Sequence, residues 1–310
     1  MTILNLQSDG LPPVLITLAL MVARERVIVR DNLIDICTPP ADTLKDKEGD
    51  SSSSARLRAT LTRWISLGLF ADAEGKVKLN FAPGRAESAE EFAQRLPAIC
   101  RRLLLESEHA LPLWPNDGIV SEENIGRSAD LCRGLAWCLA QDIYTLPSIY
   151  GDVEDMVRSQ VQVGRFIFLN DTRWSGLRSW VRFLGFATGD DSGLFFDPTI
   201  AVRAQLKEVI QEKESLPAAE FVARLAARLP VLDKGIYRTE VEQALKPETW
   251  RPPSSDHLSS SLSFALRRLQ KQGTIALESM ADAGSRLALT GQFGKTWQDF
   301  SHVRLLKDAE

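Results

Sequence analysis

At 310 residues, with 44% hydrophobic and 25% charged residues, the chain has an ordinary globular composition and the length for about two to three domains. Its net charge of -4 excludes wholesale coating of nucleic acid, which needs dense Lys and Arg to displace phosphate counterions, so any DNA contact must be local. The longest apolar run, Pro13 to Ala23, is too short to span a bilayer, and a cytoplasmic protein without membrane contact is expected.

The first predicted element is an apolar helix from Pro13 to Arg24, followed by a shorter one from Asn32 to Cys37 with Asp31 as its cap. Thr38 to Ser54 mixes prolines, charges, a glycine and serines, and reads as a mobile loop. Then comes SSSSARLRATLTRWISLGLF, residues 51 to 70. Leu57, Leu61, Trp64 and Gly68 form one helical stripe, Ser54 is placed to cap it, and Gly68 to end it. Leu69 and Phe70 begin a strand, Asp72 to Gly75 turns, and Lys76 to Asn80 returns with strict alternation. Beyond this hairpin the chain reads as helices: Ser88 caps Glu90 to Leu105, Ser128 caps Ala129 to Ala140, and Asp152 starts another. Acidic residues concentrate in this stretch.

A shift of 205 positions reproduces the first pattern in SSSLSFALRRLQKQGTIAL, where Leu262, Leu266, Leu269 and Gly273 take the stripe positions. Thr274 to Glu278 and Arg286 to Thr290 should then form the hairpin. Upstream, Ala218 to Leu229 is an apolar helix, Thr239 with Glu242 has capping-box spacing before Glu240 to Leu245, and Lys246 to Ser255 reads as a second mobile loop. A weaker copy, shifted by 117, places Trp174, Leu177, Val181 and Leu184 on one face before Gly185 and a hairpin. Three helices and a two-stranded wing, written twice, describe winged helix-turn-helix units. The expected class is mainly α with small β wings (α+β), in three parts: a winged-helix domain over 1–84, a helical connector over 85–215 with an additional winged-helix-like unit at about 164–200, and a second winged-helix domain over 216–310.

No motif carries a reaction. Gly294-Lys295-Thr296 looks like the end of a phosphate-binding loop, but Leu289 stands where the earlier glycine is required. His109, His257 and His302 lack partners at metal spacing, and Cys37, Cys100, Cys132 and Cys138 fit no zinc pattern. No enzyme activity, metal or cofactor is therefore expected. The binding candidates are cations on outward helix faces and on the wing: Arg56, Arg58, Thr62, Arg63, Lys76 and Lys78 in the first unit, and Arg267, Arg268 and Lys271 in the last. Phe264 inside the second cationic stripe, and Trp114 between prolines, are the candidate protein contacts.

The opening MTILNLQSDGLPPVLITLA, the phrase DLCRGLAWCLAQDIYTLP and the segment FLNDTRWSGLRSWVRFLGFA resemble the DpdG-type proteins of bacterial 7-deazaguanine DNA modification and restriction islands. The resemblance implies an accessory subunit of a phage-defence system, working beside helicase and nuclease proteins. It carries no functional residues over. Two other uses of such folds stand beside it: a winged-helix transcriptional regulator, and an adaptor like the kleisin-binding subunits of bacterial condensins, which would make no DNA contact.

Overall fold

The computed structural model describes residues 2–4, 11–39, 53–115, 124–190, 193–211, 214–280 and 284–306. The expected loop from Thr38 to Ser54 lies mostly outside these residues. The architecture is α+β, dominated by helices with small antiparallel sheets. One contiguous apolar cluster runs from Ile3 to Val303.

The N-terminal part begins with α1 (Pro12–Glu25), which has Pro in its first turn and buries Leu15, Leu18, Ala19 and Val22. Strand β1 (Val27–Val29) follows, then α2 (Arg30–Cys37), α3 (Ser53–Ser66), β2 (Phe70–Ala73) and β3 (Lys76–Leu79). The sheet order is β1-β3-β2, all antiparallel. Glu74 and Gly75, with φ of 54° and 75°, make the two-residue turn whose handedness suits a twisted hairpin. Strand β1 was not foreseen, although Val27-Ile28-Val29 is a β-branched run; three residues are too few to show a period. Asp31 does not cap α2: that helix starts at Arg30 behind Val29, and Asp31 lies inside its first turn.

The middle of the chain contributes α4 (Ala89–Leu105), α5 (Ser107–Ala110), α6 (Ala129–Ala140), α7 (Tyr150–Gln160) and α8 (Asp171–Phe183), then β4 (Thr188–Gly189), β5 (Leu194–Phe195), α9 (Thr199–Arg203) and α10 (Leu206–Val209). Ser88 and Glu91 form the full capping box at the start of α4. Ser128 occupies the N-cap of α6 but makes no cap; its hydroxyl donates instead to Leu104 O at 2.7 Å. Every residue of α6 is buried, including Asp130 and Arg133. Asp130 is tolerated because Leu4 N and Leu131 N each donate to it at 2.8 Å and Arg173 stands 3.9 Å away.

The C-terminal part comprises β6 (Ser215–Pro217), α11 (Ala218–Arg228), α12 (Ile236–Gln243), α13 (Ser260–Lys271), β7 (Ile275–Glu278), β8 (Leu287–Thr290), β9 (Thr296–Phe300) and β10 (His302–Leu305). Its sheet order, β6-β10-β7, matches the N-terminal order of early, last and middle strand. The expected hairpin here is corrected: β7 pairs with β10, while β8 pairs with β9 as a separate ribbon. The alternation in Arg286–Thr290 identified a strand, but alternation does not specify a partner. Thr239 is likewise no cap, because α12 begins three residues earlier at Ile236, and Glu242 pairs with Arg238. Lys246 to Ser255 is pinned rather than mobile. Lys246 N donates to Gln160 O at 2.7 Å and Thr249 Oγ1 to Ser159 O at 3.0 Å, which gives this loop the partners its composition lacks.

The repeat resides in the helix ends. Gly68 N donates to Ile65 O and Leu69 N to Trp64 O; Gly185 N to Arg182 O and Phe186 N to Val181 O; Gly273 N to Gln270 O and Thr274 N to Leu269 O. The three glycines have φ of 81°, 78° and 66°. This is one Schellman closure, three times, at the two sequence shifts. The helices of the first and middle copies also meet, with Trp64 and Trp180 ring centroids 5.6 Å apart.

Candidate nucleic-acid and partner interface

Amphipathic spacing decides what α3 shows to solvent. Leu57, Thr60, Leu61 and Trp64 are buried, which leaves Ala55, Arg58, Thr62 and Ser66 as an exposed stripe at helical spacing. Arg58 is within 2.9 Å of Asp31 Oδ1, and Thr62 Oγ1 accepts a hydrogen bond from Arg30 at 3.0 Å. Lys76 and Lys78 are exposed on β3 because Val77 and Leu79 take the inward positions. Their neighbours on β1, Val29 and Val27, are 45% and 53% exposed, so lysines and valines share one sheet face.

Two first-unit candidates do not belong to that surface. Arg63 is buried at 9% exposure and donates to Ile3 O at 3.1 Å, a position that the helical stripe alone assigned to the wrong side. Arg56 is half-buried beside Leu57, at a groove formed with Pro13, Val14 and Cys37.

The second unit differs more. Residues Ser260 to Ser263, Ala265, Leu266 and Leu269 of α13 are buried, and α6, α9, β7 and β8 all pack on it. The serine run is internal bonding: Ser259 Oγ donates to Asp233 Oδ2 at 2.6 Å, Ser261 Oγ to Leu139 O at 2.8 Å, and Ser263 Oγ accepts from Thr290 N at 2.8 Å. Arg268 pairs with Asp197, a carboxylate 1% exposed just before α9. Arg267 lies 4.2 Å from the centroid of the Trp297 ring on β9. Phe264 is half-buried against Phe195 and Tyr144, at 5.1 and 6.5 Å, and does not point outward. Of the three cations proposed there, Lys271 is exposed and, among the described residues, has no such contact. Trp114 is also corrected. It is 3% exposed, its Nε1 donates to Phe166 O at 2.8 Å, and the Arg165 guanidinium lies 5.1 Å from its ring centroid.

One arrangement was invisible to motif search because it spans 39 positions. His257 Nδ1 is 2.9 Å from both Asp256 Oδ1 and Ser254 Oγ, and its Nε2 is 3.1 Å from Thr296 Oγ1. Ser254 and His257 border a cleft of about 510 Å³ lined also by Trp250 and Gly291. A carboxylate, imidazole and hydroxyl in line can activate a nucleophile, provided donors await the oxyanion. The neighbouring Gly291 and Lys295 amides are engaged, with Lys295 O and Gln292 O. The contacts tie the loop before α13 to the β8–β9 ribbon. Gly294-Lys295-Thr296 leads into β9, not into a helix N-terminus.

A family model described as DpdG-like matches residues 1–283. The chain belongs to the DpdG-like family. Membership places it with the 7-deazaguanine theme, and the matched span includes the whole N-terminal sheet, the helical middle and α13, while β8, β9 and β10 lie beyond it. No curated protein and no solved structure matches the chain. Among the described residues of this DpdG-like chain, no helix is long and apolar enough to cross a membrane.

Proposed function

We propose that the chain is a non-enzymatic accessory subunit of a bacterial 7-deazaguanine DNA modification and restriction system, and that its N-terminal part is a winged-helix unit that contacts duplex DNA. The observation that carries this reading is the exposed set Arg58, Thr62, Lys76 and Lys78 on a chain whose net charge is -4. The succession of helix, strand, two helices and a hairpin, with order β1-β3-β2, supports this reading, in which α3 would be the helix that enters a major groove. Arg58 would exchange Asp31 for a phosphate, and the two lysines would follow the backbone as point charges. The C-terminal unit works as a scaffold in this reading, because α13 is enclosed.

The test is duplex binding against salt. Replacing Arg58, Lys76 and Lys78 together by alanine should flatten the log-log slope by about 2 to 3 units, each phosphate contact contributing about 0.9. Alanine at Lys271 should change it by about 1 unit or less. An unchanged slope in the triple variant would refute the DNA contact. A second reading rests on Val27 and Val29, whose exposure beside the lysines suits a helicase- or nuclease-type partner protein on the same sheet face. Val27→Ser with Val29→Ser should release such a partner while leaving duplex affinity intact.

A further inference from the structure

A cleft of about 660 Å³ separates the C-terminal half of α4 from the α10 and α11–α12 segments. Its walls carry four arginines, Arg95, Arg101, Arg102 and Arg228, against Glu106 and Glu208. Three of the arginines have carboxylate partners: Arg95 with Glu87 at 2.5 Å, Arg102 with Glu106 at 3.7 Å, and Arg228 with Glu208. Arg101 differs. It is 2% exposed, its Nη1 donates to Leu184 O at 2.7 Å, and its Nε meets no hydrogen-bond partner among the described residues. Among the described residues no carboxylate stands at ion-pair distance from it. Burial lowers its pKa to about 10, so it remains a cation at neutral pH.

A buried cation without a counter-charge is costly, and proteins keep such groups paired or aimed at a ligand. The cleft supplies two further features, one suited to an anion and one to an organic group attached to it. The N-terminal turn of α12 places Ile236 and Tyr237 on the wall; its Arg238 amide donates to Pro230 O at 3.1 Å, but no side chain caps it, and the positive end of that helix lies beside the same space. Ile99 and Ile236, the latter 58% exposed, give the rim an apolar surface for an organic group.

We propose that this cleft binds the phosphate group of a small phosphorylated molecule, with Arg101 as the buried anchor and Arg102 and Arg228 at the rim. The planar guanidinium fork suits two phosphate oxygens at once. Duplex DNA is the wrong shape, since its phosphates lie on a stiff rod that cannot reach a side chain 2% exposed. The site is separate from α3 and β3, so its failure would leave the DNA reading standing.

The experiment titrates inorganic phosphate into the full chain at ionic strength held constant with sodium chloride, followed by phosphorus NMR and by thermal melting. Saturable binding with a rising melting temperature is expected. Arg101→Met should weaken it by about tenfold or more, and Arg101→Lys should restore only part, because the fork is lost. Arg102→Ala with Arg228→Ala, both at exposed positions, should weaken it several-fold with the fold retained, and decides the matter if Arg101→Met does not fold. A nucleoside monophosphate that binds more tightly than phosphate identifies an organic ligand, and equal affinity identifies the free anion. Absence of saturable phosphate binding, rim variants that bind as the parent does, or displacement of phosphate by a short duplex would each overturn the proposal.

Discussion

The two ends of the molecule use one pattern to opposite effect. In both, a stripe of large apolar residues buries one helix face, a Schellman glycine ends the helix, and a three-stranded sheet follows in the same strand order. Around α3 the outer face stays open, with Arg58 and Thr62 at the surface. Around α13 the equivalent face is roofed by the β8–β9 ribbon, by α9 and by the aromatic side chains of Phe195 and Tyr144. Position 63 and its counterpart 268 are both arginine, and each is engaged within the protein, by Ile3 O in one case and by Asp197 in the other. Cations on a repeated helix therefore identify a binding surface only when nothing else in the chain covers them.

The largest effect should come from the ion pairs that distinguish the two helices. Arg268→Ala removes the charge partner of a carboxylate that is 1% exposed, leaving it the hydrogen bonds from Thr199, and should cost about 2 kcal/mol; this is below the 3–5 of a fully buried pair because Arg268 itself is 45% exposed. Arg58→Ala breaks an exposed pair and should cost about 1 kcal/mol or less. Urea denaturation of both variants checks the difference, and equal losses would mean that α13 is no more enclosed than α3.

The glycine closures give a sharper, somewhat smaller test. Alanine at Gly68 or Gly273 should cost about 1 to 2 kcal/mol, the penalty of a side chain in left-handed backbone. Gly185→Ala should cost more than either, because its added Cβ would lie 2.8 Å from Ile200 Cγ2, whereas at Gly68 the nearest atom is 4.0 Å away. Melting curves that rank Gly68 above Gly185 would break the equivalence of the three copies.

The smallest effect concerns pH. Arg95 and the Gly84 amide hold the Glu87 carboxyl below its usual range, beside the N-terminal unit, and the Gln211 amide and Arg224 do the same for Glu214 beside the C-terminal sheet. A depressed carboxylate contributes stability that is present above its unfolded pKa and lost as pH falls through the folded value. Melting temperature should thus decline from about pH 5 to pH 3, and Glu87→Gln should remove part of that decline. Both groups are half-buried at the surface rather than enclosed, so the change is modest and sensitive to salt.

Sequence by itself determined the local grammar. It identified the α3 and α13 stripes, the Gly68, Gly185 and Gly273 stops, the Ser88 cap and the alternation of β3, since each rests on residues a few positions apart. It could not assign partners. Strand β8 was legible, but its pairing with β9 and not with β7 depends on which edges meet in the folded chain. Asp197 reaches Arg268 across 71 positions, and His257 reaches Thr296 across 39. Arg101 read as an ordinary residue of a helix until α8 placed Leu184 O on its guanidinium and α11 and α12 closed the cleft around it. Periodicity reports which side of an element turns inward; only tertiary packing decides what lies against the other side, because burial there comes from segments that carry no local signature of one another.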